Sequence, residues 1–171
     1  YTVIWFANAQ EALAVLAITD EIKATSIKAI SNLKAMGIEL YMLTGDNYFT
    51  AKAIAEKVGI SDFIAEVMPQ DKADFVTKLQ KEGKIVAMVG DGINDSTALA
   101  TADVSIAMGK GSDIAMDVAK MTIISSDLSK IADSIRISKQ TVSTIKQNLF
   151  WAFIYNLIGI PIAAGILYPI N

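Results

Sequence analysis

Three short motifs, each beside a predicted strand or helix boundary, constrain the fold of this chain more than any other feature. They read LTGD at 43–46, MPQDK at 68–72 and VGDGIND at 89–95. In a sheet of parallel strands, ligands bind at the edge where the carboxyl ends of the strands lie. The motifs would bring a hydroxyl, a lysine and paired carboxylates to that edge. These groups are suited to holding a phosphoryl group and Mg²⁺.

Composition excludes several other classes of protein. The length of 171 residues allows one substantial α/β core, with about 35 residues beyond it. A net charge of −3, without basic residues interleaved with aromatic ones, argues against nucleic-acid binding. Because the chain contains no Cys and no His, it has no disulfide, usual zinc site, thiol nucleophile or His-based triad. It begins YTVIW, with no Met and no basic segment, so we expect a piece of a longer protein rather than a signal peptide.

Hydrophobic periodicity predicts a hairpin followed by alternating strands and helices. The hairpin strands are expected at 2–7 and 12–18. Helices are expected at 24–36, 48–58, 70–81, 94–102 and 112–119, and strands at 38–43, 63–67, 85–89, 104–108 and 121–125. The apolar run at 85–89 is typical of a strand covered on both faces. Repeated βα units predict an α/β fold with a mainly parallel, Rossmann-like sheet and helices on both faces.

The pattern changes from residue 128 onward. A long basic helix is expected at 128–147, and residues 149–170 carry no charge. As a helix this stretch would span about 33 Å, which matches a bilayer core of about 30 Å. The alternative is a buried core helix, although these are normally shorter. Because the basic residues precede the stretch, a membrane helix here would leave the α/β domain on the cytoplasmic side.

Each candidate site residue also has an ordinary structural explanation. Thr44, after a strand and before Gly45, can hold phosphate oxygens through its hydroxyl and the free N–H groups of the turn, or it can simply form a turn. Lys72 stands at a helix start, where a cation opposes the helix dipole, or it is a solvated surface lysine. Asp91 and Asp95 offer hard oxygens for Mg²⁺, or Asp95 is a carboxylate that favours a helix N-terminus.

The combination of these motifs with GKGSDIA at 109–115 resembles the phosphorylation domain of P-type ATPases, and the heavy-metal branch fits best. The resemblance covers essentially the whole chain. It implies a haloacid-dehalogenase-like fold and an aspartyl-phosphate formed from ATP, with Mg²⁺ as cofactor. The roles it implies are phosphate binding by Thr44, Gly45, Asp46, Lys72 and Asn94, catalysis by Thr44, Lys72 and Asn94, and Mg²⁺ binding by Asp91 with Asp95 in or next to the metal shell.

The tail adds a resemblance of its own. Asn148, the pair Tyr155 and Asn156, and Pro161 are spaced as in the seventh transmembrane helix of copper-transporting ATPases. This implies that Tyr155 and Asn156 contribute to the site of the transported Cu⁺. The alternative is that Asn156 pairs with a neighbouring helix. Zinc-class relatives typically carry a lysine in this helix, and residues 149–170 contain none.

The resemblance implies four parts. Residues 1–19 would form strands that link a nucleotide-binding region to the phosphorylation domain, which would span residues 20–127. Residues 128–147 would form a cytoplasmic linking helix, and residues 148–170 a transmembrane helix. We expect an integral membrane protein, in a prokaryotic cell membrane, with residues 1–147 cytoplasmic. Its partners would be the metal ion, the bilayer and the remaining domains of the same ATPase.

The phosphorylation motif DKTGT does not occur in these residues, so we expect the chain alone to be inactive and the central, nucleophile-bearing strand to lie elsewhere. The expected function is part of an ATP-driven Cu⁺ transporter. The alternatives are a P-type ATPase for Ag⁺, Zn²⁺ or Co²⁺, a phosphatase of the same fold, and a non-catalytic membrane-anchored module.

Overall fold

The computed structural model describes residues 2–8, 10–18, 21–91, 94–109 and 117–166. The strands are β1 (Thr2–Ala7), β2 (Ala12–Ile18), β3 (Tyr41–Leu43), β4 (Asp62–Ile64), β5 (Ala87–Gly90), β6 (Val104–Met108) and β7 (Met121–Ile123). The helices are α1 (Ala24–Ala35), α2 (Tyr48–Val58), α3 (Pro69–Lys81), α4 (Ser96–Thr101) and α5 (Ser129–Ala163). The chain forms two compact units, residues 1–132 and 133–171.

The strands of the first unit confirm the predicted α/β class. β1 and β2 form an antiparallel hairpin, β3 and β4 pair in parallel, and β5, β6 and β7 form a parallel sheet in that order. The motifs at 43–46 and 89–95 begin where β3 and β5 end. Within the described residues, β3 pairs only with β4 and β5 pairs only with β6. One edge of β3 and one edge of β5 therefore carry no strand partner from this part of the chain.

Local sequence signals explain the helix boundaries. The Asn47 side chain accepts a hydrogen bond from the Thr50 N–H at 3.0 Å, and α2 ends at Gly59, whose φ of 80° is left-handed. α3 begins with Pro69, and the Asp71 carboxylate accepts a hydrogen bond from the Met68 N–H at 2.9 Å. These caps place α2 directly after the 43–46 motif and α3 around the 68–72 motif.

The strands differ more from prediction than the helices do. β3 and β4 contain only three residues each and pair only between Tyr41–Leu43 and Asp62–Ile64. After β4 the chain turns at Glu66, which has a φ of 57°. The expectation that 85–89 is covered on both faces is wrong. Ile85, which precedes β5, is 87% exposed and Ala87 is also exposed, whereas Met88 is buried, so this stretch is covered on one face only. The predicted helix at 112–119 and the motif at 109–115 lie largely outside the described residues.

A small core joins α3, α4 and β5 beneath the predicted site. Its buried side chains are those of Ala73, Val76, Met88, Ala98, Leu99 and Ala102. Leu99 is fully buried, and removing such a side chain typically costs 2–5 kcal/mol. This packing holds the first turn of α3, which carries Lys72, beside the start of α4, which Asp95 precedes.

An exposed ion pair links the chain before β3 to the chain before β5. Lys84 Nζ lies 2.6 Å from Glu39 Oε2 and 3.1 Å from the Tyr41 hydroxyl. The hydrogen bond and charge of Lys84 lower the pKa of Glu39. The Tyr41 ring also packs edge-on against Phe75 of α3, with centroids 5.4 Å apart. These contacts bring the amino ends of β3 and β5 near each other.

Asp103 holds the amino ends of β5 and β6 together through a hydrogen bond of its carboxylate, and this hydrogen bond should weaken in acid. Its Oδ2 accepts a hydrogen bond from the Val86 N–H at 2.9 Å, and this bond is the main reason that its pKa lies below the ordinary 3.8. A lowered folded-state pKa stabilises the fold above the unfolded-state value, and that contribution disappears as pH falls through the folded-state value.

We therefore expect Asp103→Ala to speed hydrogen exchange of the Val86 amide at about pH 7. The difference from the wild type should shrink at a lower pH, once the pH has fallen through the lowered folded-state pKa of Asp103 and its carboxylate is protonated. Mass spectrometry of a peptide that contains Val86, measured for both proteins at each pH, checks this. An equal difference at both pH values would show that the charge of Asp103 is not what holds the amide.

The second unit consists of most of α5 and the residues after it. Its exposed large apolar side chains are Ile137, Val142, Ile145, Leu149, Phe150, Trp151, Phe153, Tyr155, Leu157, Ile158, Ile160, Ile162 and Ile166. Across the described part of the chain, no helix combines the length and the hydropathy needed to cross a membrane. The predicted membrane helix at 148–170 is therefore not confirmed, and residues 167–170 lie outside the described ranges.

Candidate phosphoryl-transfer site

The loop at Thr44 is held by its own side chains and by the loop that follows β4. The Thr44 hydroxyl donates to Asp46 Oδ2 at 2.8 Å and accepts from the Asp46 N–H at 3.1 Å. The Val67 N–H donates to the Thr44 carbonyl at 3.1 Å, and the Glu66 N–H donates to the Asp46 carbonyl at 2.9 Å. Thr44 is half-buried, whereas Gly45 and Asp46 are exposed. The turn therefore presents Gly45 and the Asp46 carboxylate to solvent at the carboxyl end of β3.

Lys72 and Asp95 form a largely buried ion pair. Lys72 Nζ lies 2.6 Å from Asp95 Oδ1, and the two side chains are only 13% and 12% exposed. The interpretation of Lys72 as a solvated surface lysine is therefore wrong. A carboxylate partner also explains why a cation is tolerated in the first turn of α3, where the helix dipole opposes it. A charge-assisted hydrogen bond of this length is among the strong ones.

Gly90 makes room for that pair at the end of β5. A Cβ added to Gly90 would lie 2.9 Å from both Cβ and Cγ of Asp95, and closer still to Oδ2. Real Cβ atoms essentially never approach so closely, so any side chain at position 90 would displace Asp95. A glycine at a strand end can let a metal and a phosphate approach the backbone. The structure adds a different reason, which is the close approach of the Asp95 carboxylate.

The remaining predicted site residues lie at the same end of β5. Asp91 directly follows the strand and is exposed, and Asn94 is also exposed. Gly92 and Ile93 of the motif lie outside the described residues. In the described ranges no three carboxylate, His or Cys side chains cluster to hold a metal ion. Asp91 and Asp95 nevertheless supply hard oxygens, and a carboxylate with two oxygens can serve Lys72 and another cation together. This donor set fits Mg²⁺, which usually takes one or two carboxylates and keeps several waters.

The predicted ligands of the transported ion lie in the second unit. Tyr155 is 77% exposed. The Asn156 side-chain amide donates to the Ala152 carbonyl of its own helix at 3.0 Å, which leaves the side-chain oxygen of Asn156 available as an acceptor or ligand.

Two features of the site were not foreseen from sequence. The pairing of Lys72 with Asp95 joins residues 23 positions apart, and the only signal for it was the opposite charge of the two side chains. The left-handed backbone of Glu66 had no sequence signal, because glycine and asparagine are the usual residues in that conformation.

Parallel strands alternating with helices, with a threonine loop after β3 and a buried Lys–Asp pair beside the end of β5, define an α/β fold that carries polar groups at its strand ends. The sequence pattern of the haloacid dehalogenase-like hydrolases matches residues 2–103. The chain belongs to that family.

Within the family, its relatives are ion-transporting ATPases. The chain is 54% identical over 169 residues to a probable copper-transporting ATPase PacS of Synechocystis, covering 99% of this chain and 23% of that protein. It is 56% identical over 160 residues to a copper-exporting P-type ATPase of Bacillus subtilis, covering 93% of this chain and 20% of that protein. The chain thus spans about a fifth to a quarter of the length of these relatives.

A solved structure shares both the fold and part of the sequence. A zinc-transporting PIB-type ATPase in its E2·Pi state superposes with a TM-score of 0.85 at 35% identity, covering 95% of this chain and 27% of that chain. The predicted haloacid-dehalogenase-like fold and the resemblance to copper-transporting P-type ATPases are both confirmed.

Proposed function

We propose that this chain is part of an ATP-driven Cu⁺ transporter that works through an aspartyl-phosphate intermediate. The observation that carries the proposal is the buried Lys72–Asp95 pair, whose carboxylate lies against Gly90 at the carboxyl edge of the parallel β5–β6–β7 sheet, where Asp91 follows directly. A fixed cation and fixed hydrogen-bond donors at such an edge favour phosphoryl transfer by positioning and electrostatics.

The residues have separate tasks in this proposal. The Thr44 hydroxyl and the N–H of Gly45 hold phosphoryl oxygens, with Asp46 orienting the hydroxyl through their 2.8 Å hydrogen bond. Lys72 compensates the negative charge of the phosphoryl group, and Asn94 donates a hydrogen bond to it. Asp91 binds Mg²⁺, with Asp95 next to the metal while it holds Lys72 in place. When bound, Mg²⁺ neutralises charge that develops on the transferring phosphoryl group.

The phosphorylated aspartate belongs to another part of the polypeptide. The open edges of β3 and β5 support this, because one parallel strand placed between them would join the two sheets into one. The Lys84–Glu39 ion pair already brings the amino ends of β3 and β5 together. Such a strand would end beside Thr44, Asp91 and Lys72, where a nucleophilic carboxylate is needed. The chain alone should therefore not hydrolyse ATP.

Copper is the proposed cargo because of the relatives and the tail. Identity is 54–56% to the ATPases named for copper and 35% to the one named for zinc. Tyr155 and Asn156 offer oxygen donors on neighbouring positions of α5, and we propose that they join ligands from other helices around Cu⁺. The exposed apolar side chains between Leu149 and Ile166 would be covered by those helices and by lipid in the complete protein.

The proposed protein has four parts within this chain. Residues 1–19 link the phosphorylation domain, at residues 20–127, to a nucleotide-binding region that supplies ATP. Residues 128–147 connect the phosphorylation domain to the membrane, and residues 148–170 enter the bilayer. The basic residues Arg136, Lys139 and Lys146 precede the uncharged stretch, which favours a cytoplasmic side for residues 1–147 in a prokaryotic cell membrane.

ATP hydrolysis by the complete purified protein in detergent tests the proposal. We expect stimulation by Cu⁺ under reductant and by Ag⁺, but not by Zn²⁺ or Co²⁺. Tyr155→Phe and Asn156→Ala should reduce metal stimulation more than nucleotide binding, because in this proposal both residues bind the transported ion. Stimulation by a divalent ion would overturn the choice of copper. No stimulation by any metal, with steady hydrolysis of small phosphate esters, would favour a phosphatase instead.

A further inference from the structure

One residue among those described adopts a left-handed backbone without being glycine. Glu66, in the loop between β4 and α3, has a φ of 57°. For an L-residue with a side chain this conformation costs roughly 1–2 kcal/mol. Such outliers persist only where the surrounding structure requires them, and they concentrate at functional sites.

The turn at Glu66 connects the two halves of the candidate site. On one side, the N–H groups of Glu66 and Val67 donate to the carbonyls of Asp46 and Thr44 at 2.9 Å and 3.1 Å. On the other side, Met68 follows at once as the residue before α3, and its N–H is bound by the Asp71 carboxylate. Lys72 directly follows Asp71 in the first turn of that helix. The backbone at position 66 therefore sets where the Thr44 loop lies relative to the helix that presents Lys72.

The side chain of Glu66 does not explain its conformation. The residue is exposed, and its carboxylate makes no hydrogen bond or ion pair within the described part of the chain. We propose that Glu66 is a positioning residue for phosphoryl transfer that acts through its left-handed backbone and not through its carboxylate. This inference rests on the proposed role of Thr44 and Lys72 in holding the phosphoryl group.

The two possible origins of an effect at position 66 can be separated by substitution. Glu66→Gly and Glu66→Ala both remove the carboxylate, but only glycine adopts a positive φ at no steric cost. Glu66→Asn tests the same point, because asparagine tolerates this conformation better than other residues. Glu66→Val places a β-branched side chain in it, which is the most unfavourable choice.

Inhibition of ATP hydrolysis by orthovanadate, a mimic of the transferring phosphoryl group, is the measurement for the complete protein. We expect Glu66→Gly and Glu66→Asn to keep the wild-type vanadate sensitivity. Glu66→Ala should also stay close to the wild type, because alanine pays about the same cost for the left-handed conformation as glutamate does. Glu66→Val should be at least about 10-fold less sensitive, because a β-branched side chain is a genuine outlier in that conformation. Glu82 is the matched control position, since it is also exposed but has an ordinary φ of −77°. Glu82→Val should keep the wild-type vanadate sensitivity.

Two outcomes would overturn the inference. An equal loss in the Gly and Ala variants would assign the role to the carboxylate, and unchanged sensitivity in the Val variant would remove position 66 from the site. If Glu66→Val fails to fold, Glu66→Thr takes its place, because threonine is also β-branched but polar. Thr44→Ala in the same assay tests the proposed phosphate-binding role of the Thr44 loop independently of position 66. If that variant keeps full vanadate sensitivity, the proposed role of the loop is wrong, whatever the variants at position 66 show.

Discussion

Replacing Lys72 by methionine should both destabilise the phosphorylation domain and abolish phosphoenzyme formation. The change leaves Asp95, whose side chain is 12% exposed, as a buried carboxylate without its cation. Removing one partner of a buried pair typically costs about 3–5 kcal/mol, because the remaining charge is uncompensated. Activity falls for a second reason, since the cation that balances phosphoryl charge is gone. Thermal unfolding and labelling with radioactive ATP measure the two effects on the complete protein.

The double variant Lys72→Met, Asp95→Leu separates stability from catalysis. With both charges removed, no buried charge remains unpaired, and apolar replacements of buried pairs are often neutral or stabilising. We expect the unfolding temperature to recover while phosphoenzyme formation remains absent. If activity returned together with stability, Lys72 would be a structural residue only, and its assignment to the phosphoryl group would be wrong.

Gly90→Ala should inactivate the site by moving Asp95. The new Cβ would meet Asp95 Cβ and Cγ at 2.9 Å, so the carboxylate must shift and its 2.6 Å bond to Lys72 must lengthen or break. Displacing a positioned catalytic group by about 1 Å can cost about 100-fold in rate, and we expect a loss of at least that size in phosphoenzyme formation. Rapid-quench measurement of phosphorylation by ATP gives the rate.

A double-mutant cycle identifies the cause of that loss. In an Asp95→Gly background there is no side chain at position 95 for an added Cβ to meet, so Gly90→Ala should add little further loss. Additive losses would show that Gly90 acts on something other than Asp95.

Helix positions were predictable because short-range signals determine them. The expected helix at 48–58 agrees with the observed α2, since Asn47 caps its start and Gly59 provides the left-handed residue at its end. The strands were less predictable. An apolar run at 38–43 gives no indication that pairing with β4 is limited to residues 41–43. Likewise, the run at 85–89 could not reveal that one edge of β5 has no strand partner in the described chain.

The candidate site was predictable only where short-range sequence signals determine it. Its residue types followed from strand-end motifs, whereas the Lys72–Asp95 contact depends on packing of α3 against α4. The left-handed turn at Glu66 depends on the position of the neighbouring Thr44 loop, which no local pattern encodes. The membrane helix was predicted from the lack of charge at 149–170. Uncharged polar residues such as Asn156 and Tyr155 do not change the number of charges in this stretch, but they lower its mean hydropathy.

Formation of an acid-stable phosphoenzyme from radioactive ATP, with and without Cu⁺, tests the central claim most directly. In the complete protein, we expect labelling that requires Cu⁺ and Mg²⁺, is released by hydroxylamine as expected for an acyl phosphate, and is lost in Asp91→Asn although that variant remains folded. Labelling that is independent of Cu⁺, or full labelling and turnover in Asp91→Asn, would contradict the assignment of this chain to the phosphoryl-transfer site of a copper pump.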